Sequence, residues 1–126
     1  MNAMRALVVD DSRFIRNYLH SLFAEHGVEC VEAVDGRQGL ACLRDAGPFT
    51  VALVDWNMPV MSGLEMLETA RADPAFNATK IVMVTTEAEN DHIEAALLAG
   101  ADEYLIKPFD EAGLFDKLRM TGIEEL

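Results

Sequence analysis

Five times along the 126-residue chain a short apolar run rich in β-branched residues gives way to a longer amphipathic stretch. Parallel strands need long crossovers and those crossovers are usually helices, so this alternation points to a parallel sheet covered by helices on both faces. The predicted strands are residues 6–9, 30–34, 51–54, 81–85 and 103–106. Residues 51–54 and 81–84 read as nearly unbroken apolar runs, the mark of strands buried from both sides, and are expected to be central. A chain of this length is about one domain.

The intervening stretches carry helical punctuation. The first places Phe14, Ile15, Tyr18, Leu19, Leu22 and Phe23 on one apolar stripe and stops at Gly27. The second opens at Asp35-Gly36, turns Leu40 and Leu43 inward and closes at Gly47-Pro48. The third follows Ser62-Gly63 with Leu64 and Leu67 inward, and Asp73-Pro74 ends it because the residue before proline avoids helical geometry. The fourth runs from Asn90 to Gly100 with Ile93, Ala96 and Leu97 inward. The fifth follows Asp110, with Leu114, Phe115 and Leu118 on one side. The expected fold is α/β: a doubly wound, flavodoxin-like sheet of five parallel strands in the order 2-1-3-4-5 with five helices.

In such sheets ligands collect beyond the carboxyl ends of the strands. Those ends supply Asp10-Asp11 after the first strand, Asp55 at the third, Thr85-Thr86 at the fourth and Lys107-Pro108 at the fifth. The second strand adds nothing comparable, which suits an edge. Three carboxylates, a hydroxyl and an amine should therefore converge. Two unit charges about 4 Å apart repel by roughly 4 kcal/mol at an effective dielectric of about 20, so the cluster needs a proton or a cation. Lys107 supplies +1 against −3, and the remaining −2 matches one hard divalent ion. Oxygen-only donors favour Mg²⁺. Asp10 and Asp11 open a loop, a good arrangement for gripping an ion. Asp55 stands alone at the end of a central strand and is the expected nucleophile toward a phosphoryl group, with Lys107 and the Thr85 hydroxyl meeting its oxygens.

Charge excludes other classes. Twenty-two acids against ten Lys and Arg leave −12, the wrong sign for nucleic acid or an anionic membrane surface. No segment approaches the ~18 apolar residues of a membrane span, and two acids interrupt the start before a signal peptide could form, so a cytoplasmic location is expected. Cys30 and Cys42 lack metal-ligand spacing and read as reduced packing residues.

Taken together, LVVDDSRFIRNYL, AVDGRQGL, VALVDWNMPVMSGLEML, IVMVTTEAE and AGADEYLIKPF make the whole chain resemble a response-regulator receiver domain, particularly the free-standing chemotaxis type. The resemblance implies that Asp55 is phosphorylated by a phospho-histidine on a sensor histidine kinase or histidine phosphotransfer protein. It implies Mg²⁺ held by Asp10, Asp11, Asp55 and the backbone carbonyl of Asn57. It further implies that Lys107 pairs with the phosphoryl group, that Thr85 shifts to hydrogen-bond it, that Tyr104 moves inward behind Thr85, and that a cis peptide precedes Pro108. Asn57 and Glu87 occupy the variable positions that tune hydrolysis, and this combination implies a short-lived phosphoform. Thr86 departs from the small residue usual there, and its branched side chain narrows access to the phosphoryl group. Residues 1–126 would be one receiver domain with no effector, since MTGIEEL after Arg119 is too short for one. Output would then be protein docking at the face of the fourth helix, fifth strand and fifth helix, by a monomer or a weak phosphorylation-dependent dimer.

Singly, each of these residues has a plain reading: an Asp-Asp N-cap, a turn aspartate, a strand-ending threonine, a solvated lysine, a core-edge tyrosine. Their joint occurrence at four of five strand ends argues against it. Trp56 should lie partly exposed beside the site as a reporter of Mg²⁺, Met58, Met61 and Met66 should pack, and His20, His26 and His92 should be surface residues. A haloacid dehalogenase-like phosphatase would need a second Asp where Asn57 stands. A flavodoxin-like FMN carrier would place hydroxyls and amides, not Asp10-Asp11, against its phosphate. A receiver-shaped docking module without turnover would have lost Asp55 or Lys107.

Overall fold

The computed structural model describes residues 4–86 and 90–123. Among the described residues five strands alternate with five helices: β1 Arg5–Val9, α1 Arg13–Glu25, β2 Glu29–Ala33, α2 Gly36–Asp45, β3 Val51–Asp55, α3 Gly63–Arg71, β4 Lys80–Thr85, α4 Asn90–Leu98, β5 Glu103–Ile106 and α5 Glu111–Met120. A short 3₁₀ turn at Pro74–Phe76, absent from the sequence-based expectation, links α3 to β4. All strand pairs are parallel and the order is β2-β1-β3-β4-β5, as expected.

The sheet separates two cores. Ala6 and Val8 of β1 face α1 and α5 with Leu19, Phe23, Leu114 and Phe115, while Leu7 and Val9 face α2 and α3 with Leu40, Met66 and Leu67. Every residue of β3 is buried, and in β4 only Lys80 is not. Burial of a single large apolar side chain contributes roughly 1.5–3 kcal/mol, so both faces of the central strands are held firmly. The helices lie beyond the carboxyl ends of the strands, and α1, α2, α3 and α5 each begin with a polar cap. Ser12, Asp35, Ser62 and Asp110 accept from the backbone N–H three residues on, and Ser62 with Glu65 forms a reciprocal capping box.

Several expectations are corrected. Phe14 is not on the buried stripe of α1 but 76% exposed. At about 100° per residue it lies roughly 140° round the helix from buried Leu19. Leu97 is likewise exposed, about 100° round α4 from buried Ala96. On α3 the buried face is centred on Met66, Leu67 and Ala70, and Leu64 is only half-buried. Strand β2 ends at Ala33, one residue short, because the chain turns at Val34 toward the Asp35 cap. Cys30 and Cys42 form no disulfide. Burial, and then Glu32, pushes the Cys30 thiol up to about 12, and burial and Asp45 raise Cys42. Neither is set up to react as a thiolate.

Candidate functional site

The register places the carboxyl ends of the inner strands level with one another: Val9 lies beside Val54, Asp55 beside Val84 and Thr85 beside Ile106. The residues that follow β1, β3 and β5 are each pinned by a neighbouring strand. The Asp10 N–H donates to the Ala33 carbonyl at 3.1 Å, Trp56 N–H to Val84 at 2.8 Å, and Lys107 N–H to Thr85 at 2.8 Å. Residues 10, 55 and 107 are thus gathered at one edge by backbone pairing alone.

The Lys107 ammonium donates to Asp10 Oδ2 at 3.0 Å and to Asp55 Oδ1 at 3.2 Å. All three groups are withdrawn from solvent, with side-chain exposures of 14% for Lys107, 3% for Asp10 and 9% for Asp55. Asp10 Oδ1 also accepts from the Ser12 N–H at 2.8 Å. Asp11 is exposed and completes the cluster: Asp10, Asp11 and Asp55 each offer a carboxylate oxygen, all within 4.8 Å of one another. Burial above all, then the Asp10 charge, pushes Asp55 up from 3.8 to about 6, with Lys107 opposing and Asp11 adding to the rise. For Lys107, burial pulls downward, but the hydrogen bond and charge of Asp10 and then those of Asp55 outweigh it and raise its pKa. One ammonium does not neutralise three carboxylates, and the oxygen-only donor set fits a hard divalent cation.

The other predicted site residues surround this cluster. Thr85 is buried at the end of β4, Thr86 beside it is exposed, and Asn57 is exposed two residues beyond Asp55. The Lys107–Pro108 peptide is cis. Tyr104 is half-buried on β5, with the Lys117 ammonium 4.0 Å from its ring centre. Glu87 lies outside the described residues. Trp56 is half-buried, as expected. His92 is not a plain surface residue: its ring stacks on Trp56 at 4.6 Å and 14°. His20 and His26 are exposed, paired with Glu32 and Glu111. Beside Lys107 a largely apolar groove of about 420 Å³ opens between α1 and the loop after β5, lined by Phe14, Ile15, Tyr18, Thr86 and Phe109 among others.

Three contributors escaped sequence reading. Arg16 on α1 donates to the Asp10 carbonyl at 2.7 Å. Gly63 lies so close to the Asp55 carbonyl that a Cβ would collide with it. The His92–Trp56 stack joins α4 to the site. A glycine directly after a cap and eight residues beyond the strand-end acid was the only one of the three with any local signal.

The comparisons with known proteins agree with this geometry. Residues 6–119 match the response regulator receiver domain. The chain is 39% identical over 128 residues to the chemotaxis protein CheY1 of Helicobacter pylori J99, covering 94% of this chain and 96% of that protein. It is 37% identical over 116 residues to the chemotaxis protein CheY of Pseudomonas aeruginosa, covering 91% and 93%. The solved structure of the chemotaxis response regulator CheY4 of Vibrio cholerae superposes with a TM-score of 0.89 at 33% identity, over 95% of this chain and 99% of that one. A parallel sheet in this order, an acid cluster bridged by a strand-end lysine and these matches together place the chain in the response regulator receiver domain family, among its chemotaxis-type members.

Proposed function

We propose that this chain is a phosphorylation-controlled switch of a two-component chemotaxis pathway, with residues 1–126 acting as one receiver domain and with Asp55 as the phosphoryl acceptor. The observation that carries the reading is Asp55 at the end of β3, its Oδ1 held 3.2 Å from the ammonium of Lys107 and its carboxylate within reach of Asp10 and Asp11. The donor is a phospho-histidine on a sensor histidine kinase or a histidine phosphotransfer protein. A carboxylate oxygen of Asp55 forms the new bond to phosphorus while the phosphorus–nitrogen bond to the donor imidazole breaks and the ring leaves as neutral imidazole after taking up a proton.

Asp10, Asp11, Asp55 and the Asn57 carbonyl would hold Mg²⁺, which when bound offsets charge on the transferring phosphoryl oxygens. Lys107, which lies between Asp10 and Asp55, would pair with the phosphoryl group, and the Thr85 hydroxyl would donate to it. Thr86 at the rim narrows approach. The apolar groove beside Lys107, with Phe14 exposed on its border, suits an apolar surface of the donor protein. Output passes to a docking partner at the face of α4, β5 and α5, where Tyr104 sits half-buried on β5 and would turn inward behind Thr85 on phosphorylation. Asn57 and Glu87 make the phosphoform short-lived.

Labelling with acetyl phosphate, or with a phosphorylated donor protein, tests this directly. The parent chain should take up label at Asp55 only in the presence of Mg²⁺, and Asp55→Asn should take up none while remaining folded. Equal label on another residue of the variant would remove Asp55 from the role. Pull-downs with and without beryllofluoride, a phosphoryl mimic, would then identify the partner.

A further inference from the structure

Asp10 is held at four points. Its N–H donates to Ala33, its Oδ1 accepts from Ser12, its Oδ2 accepts from Lys107, and its carbonyl accepts from Arg16 Nη1 at 2.7 Å. The first three bonds belong to the sheet, the helix cap and the acid cluster. The fourth comes from a cation that touches none of the carboxylates in that cluster.

Arg16 lies in the first turn of α1 with its side chain only 14% exposed, and its Nε faces Glu32 of β2 at 3.3 Å. The other Glu32 oxygen faces His20 Nδ1 at 3.2 Å. A guanidinium is planar and loses little further freedom once one edge is fixed, so Glu32, by holding Nε, aims Nη1 at the Asp10 carbonyl. That carbonyl is coplanar with the N–H of Asp11, because the peptide unit is rigid. Orienting the Asp10 carbonyl therefore orients the bond from which Asp11 departs. Asp11 is the exposed acid of the three and has no burial to fix its direction.

We propose that Arg16, braced by Glu32, is a positioning residue that sets the Asp10–Asp11 peptide and so holds Asp11 in cation-binding geometry. The proposal rests on the reading of the acid cluster as an Mg²⁺ site. It makes a prediction opposite in sign to simple electrostatics. Removing a positive charge from the neighbourhood of three carboxylates should tighten binding of a divalent cation; removing a positioning group should weaken it. Loss of groups that orient metal ligands typically weakens affinity about 10–100-fold.

Calorimetric titration of the full chain with MgCl₂ at constant ionic strength decides between them, using the parent, Arg16→Gln, Arg16→Lys and Glu32→Gln, each checked for folding by urea unfolding without Mg²⁺. Arg16→Gln should raise the Mg²⁺ Kd about tenfold or more, Glu32→Gln should raise it less, and Arg16→Lys should recover part of the loss. Unchanged or tighter binding by folded Arg16→Gln overturns the proposal while leaving the Mg²⁺ site intact. Should Arg16→Gln fail to fold, an unchanged Kd in Glu32→Gln overturns it equally. No Mg²⁺ uptake by the parent would instead remove the site itself, and this role with it.

Discussion

The proton on Asp55 links its environment to its chemistry. Its pKa rises from 3.8 to about 6 because burial and then Asp10 disfavour the charge more than Lys107 favours it. The folded chain thus holds this proton more tightly than the unfolded chain, and stability from this group is present below about pH 4 and lost as pH rises through 6. Asp55→Asn keeps the shape without the charge. It should leave stability unchanged at pH 4 and raise it by at most about 3 kcal/mol at pH 7.5 without divalent cation, read by urea unfolding; a less stable variant at pH 7.5 would contradict this. Lys107 stays charged because Asp10 and Asp55 outweigh its burial. Lys107→Ala should therefore tighten Mg²⁺ binding, the reverse of Arg16→Gln, while separating phosphate uptake from partner binding. Phosphate-dependent partner capture at parental strength would deny the lysine its signalling role. At this scale Asp10, Asp55 and Lys107 were legible because each ends a recognisable strand, whereas Arg16 reads as an ordinary helix arginine until the backbone carbonyl it meets is known.

Elements meet the site through their ends, and α3 does so most tightly. Ser62 caps it with Glu65, at 3.2 Å from hydroxyl to Glu65 N–H, and Gly63 lies against the Asp55 carbonyl. Ser62→Ala should cost about 1 kcal/mol of stability and leave Mg²⁺ affinity alone. Gly63→Ala puts a methyl group into a backbone carbonyl that cannot swing away, so α3 or the end of β3 must shift. A loss of about 1–3 kcal/mol is expected in urea unfolding, together with a weaker Mg²⁺ titration, because the displaced group is Asp55 itself. A Gly63→Ala protein matching the parent in both measurements would show that the contact tolerates the methyl. Helix existence and three of the caps were legible, from Asp35, Ser62 and Asp110, whereas the Ser12 cap of α1 emerged only in the structure. Helix phase was less so: Phe14 and Leu97 sit beside true core positions in sequence yet face outward, since apolar character does not reveal which side of a helix meets the sheet.

At the scale of the molecule, a net charge of −12 makes the folded chain self-repelling, and a bound divalent cation relieves that repulsion where it is densest. Mg²⁺ at about 100 times its Kd should stabilise the parent by about 2.7 kcal/mol through mass action alone. NaCl of equal ionic strength should give less, and Asp10→Asn should lose the excess; equal effects of the two salts would refute a specific site. The alternation of apolar runs and amphipathic stretches was enough to specify a parallel sheet, its helices and the edge where ligands gather, because periodicity and strand-end position are local properties written along the chain. That Lys107 bridges Asp10 and Asp55, that Asp55 titrates near 6, that Arg16 reaches the Asp10 carbonyl and that His92 stacks on Trp56 belonged to the tertiary structure alone. Those relations depend on register, helix phase and burial, which arise only when distant segments are packed against one another.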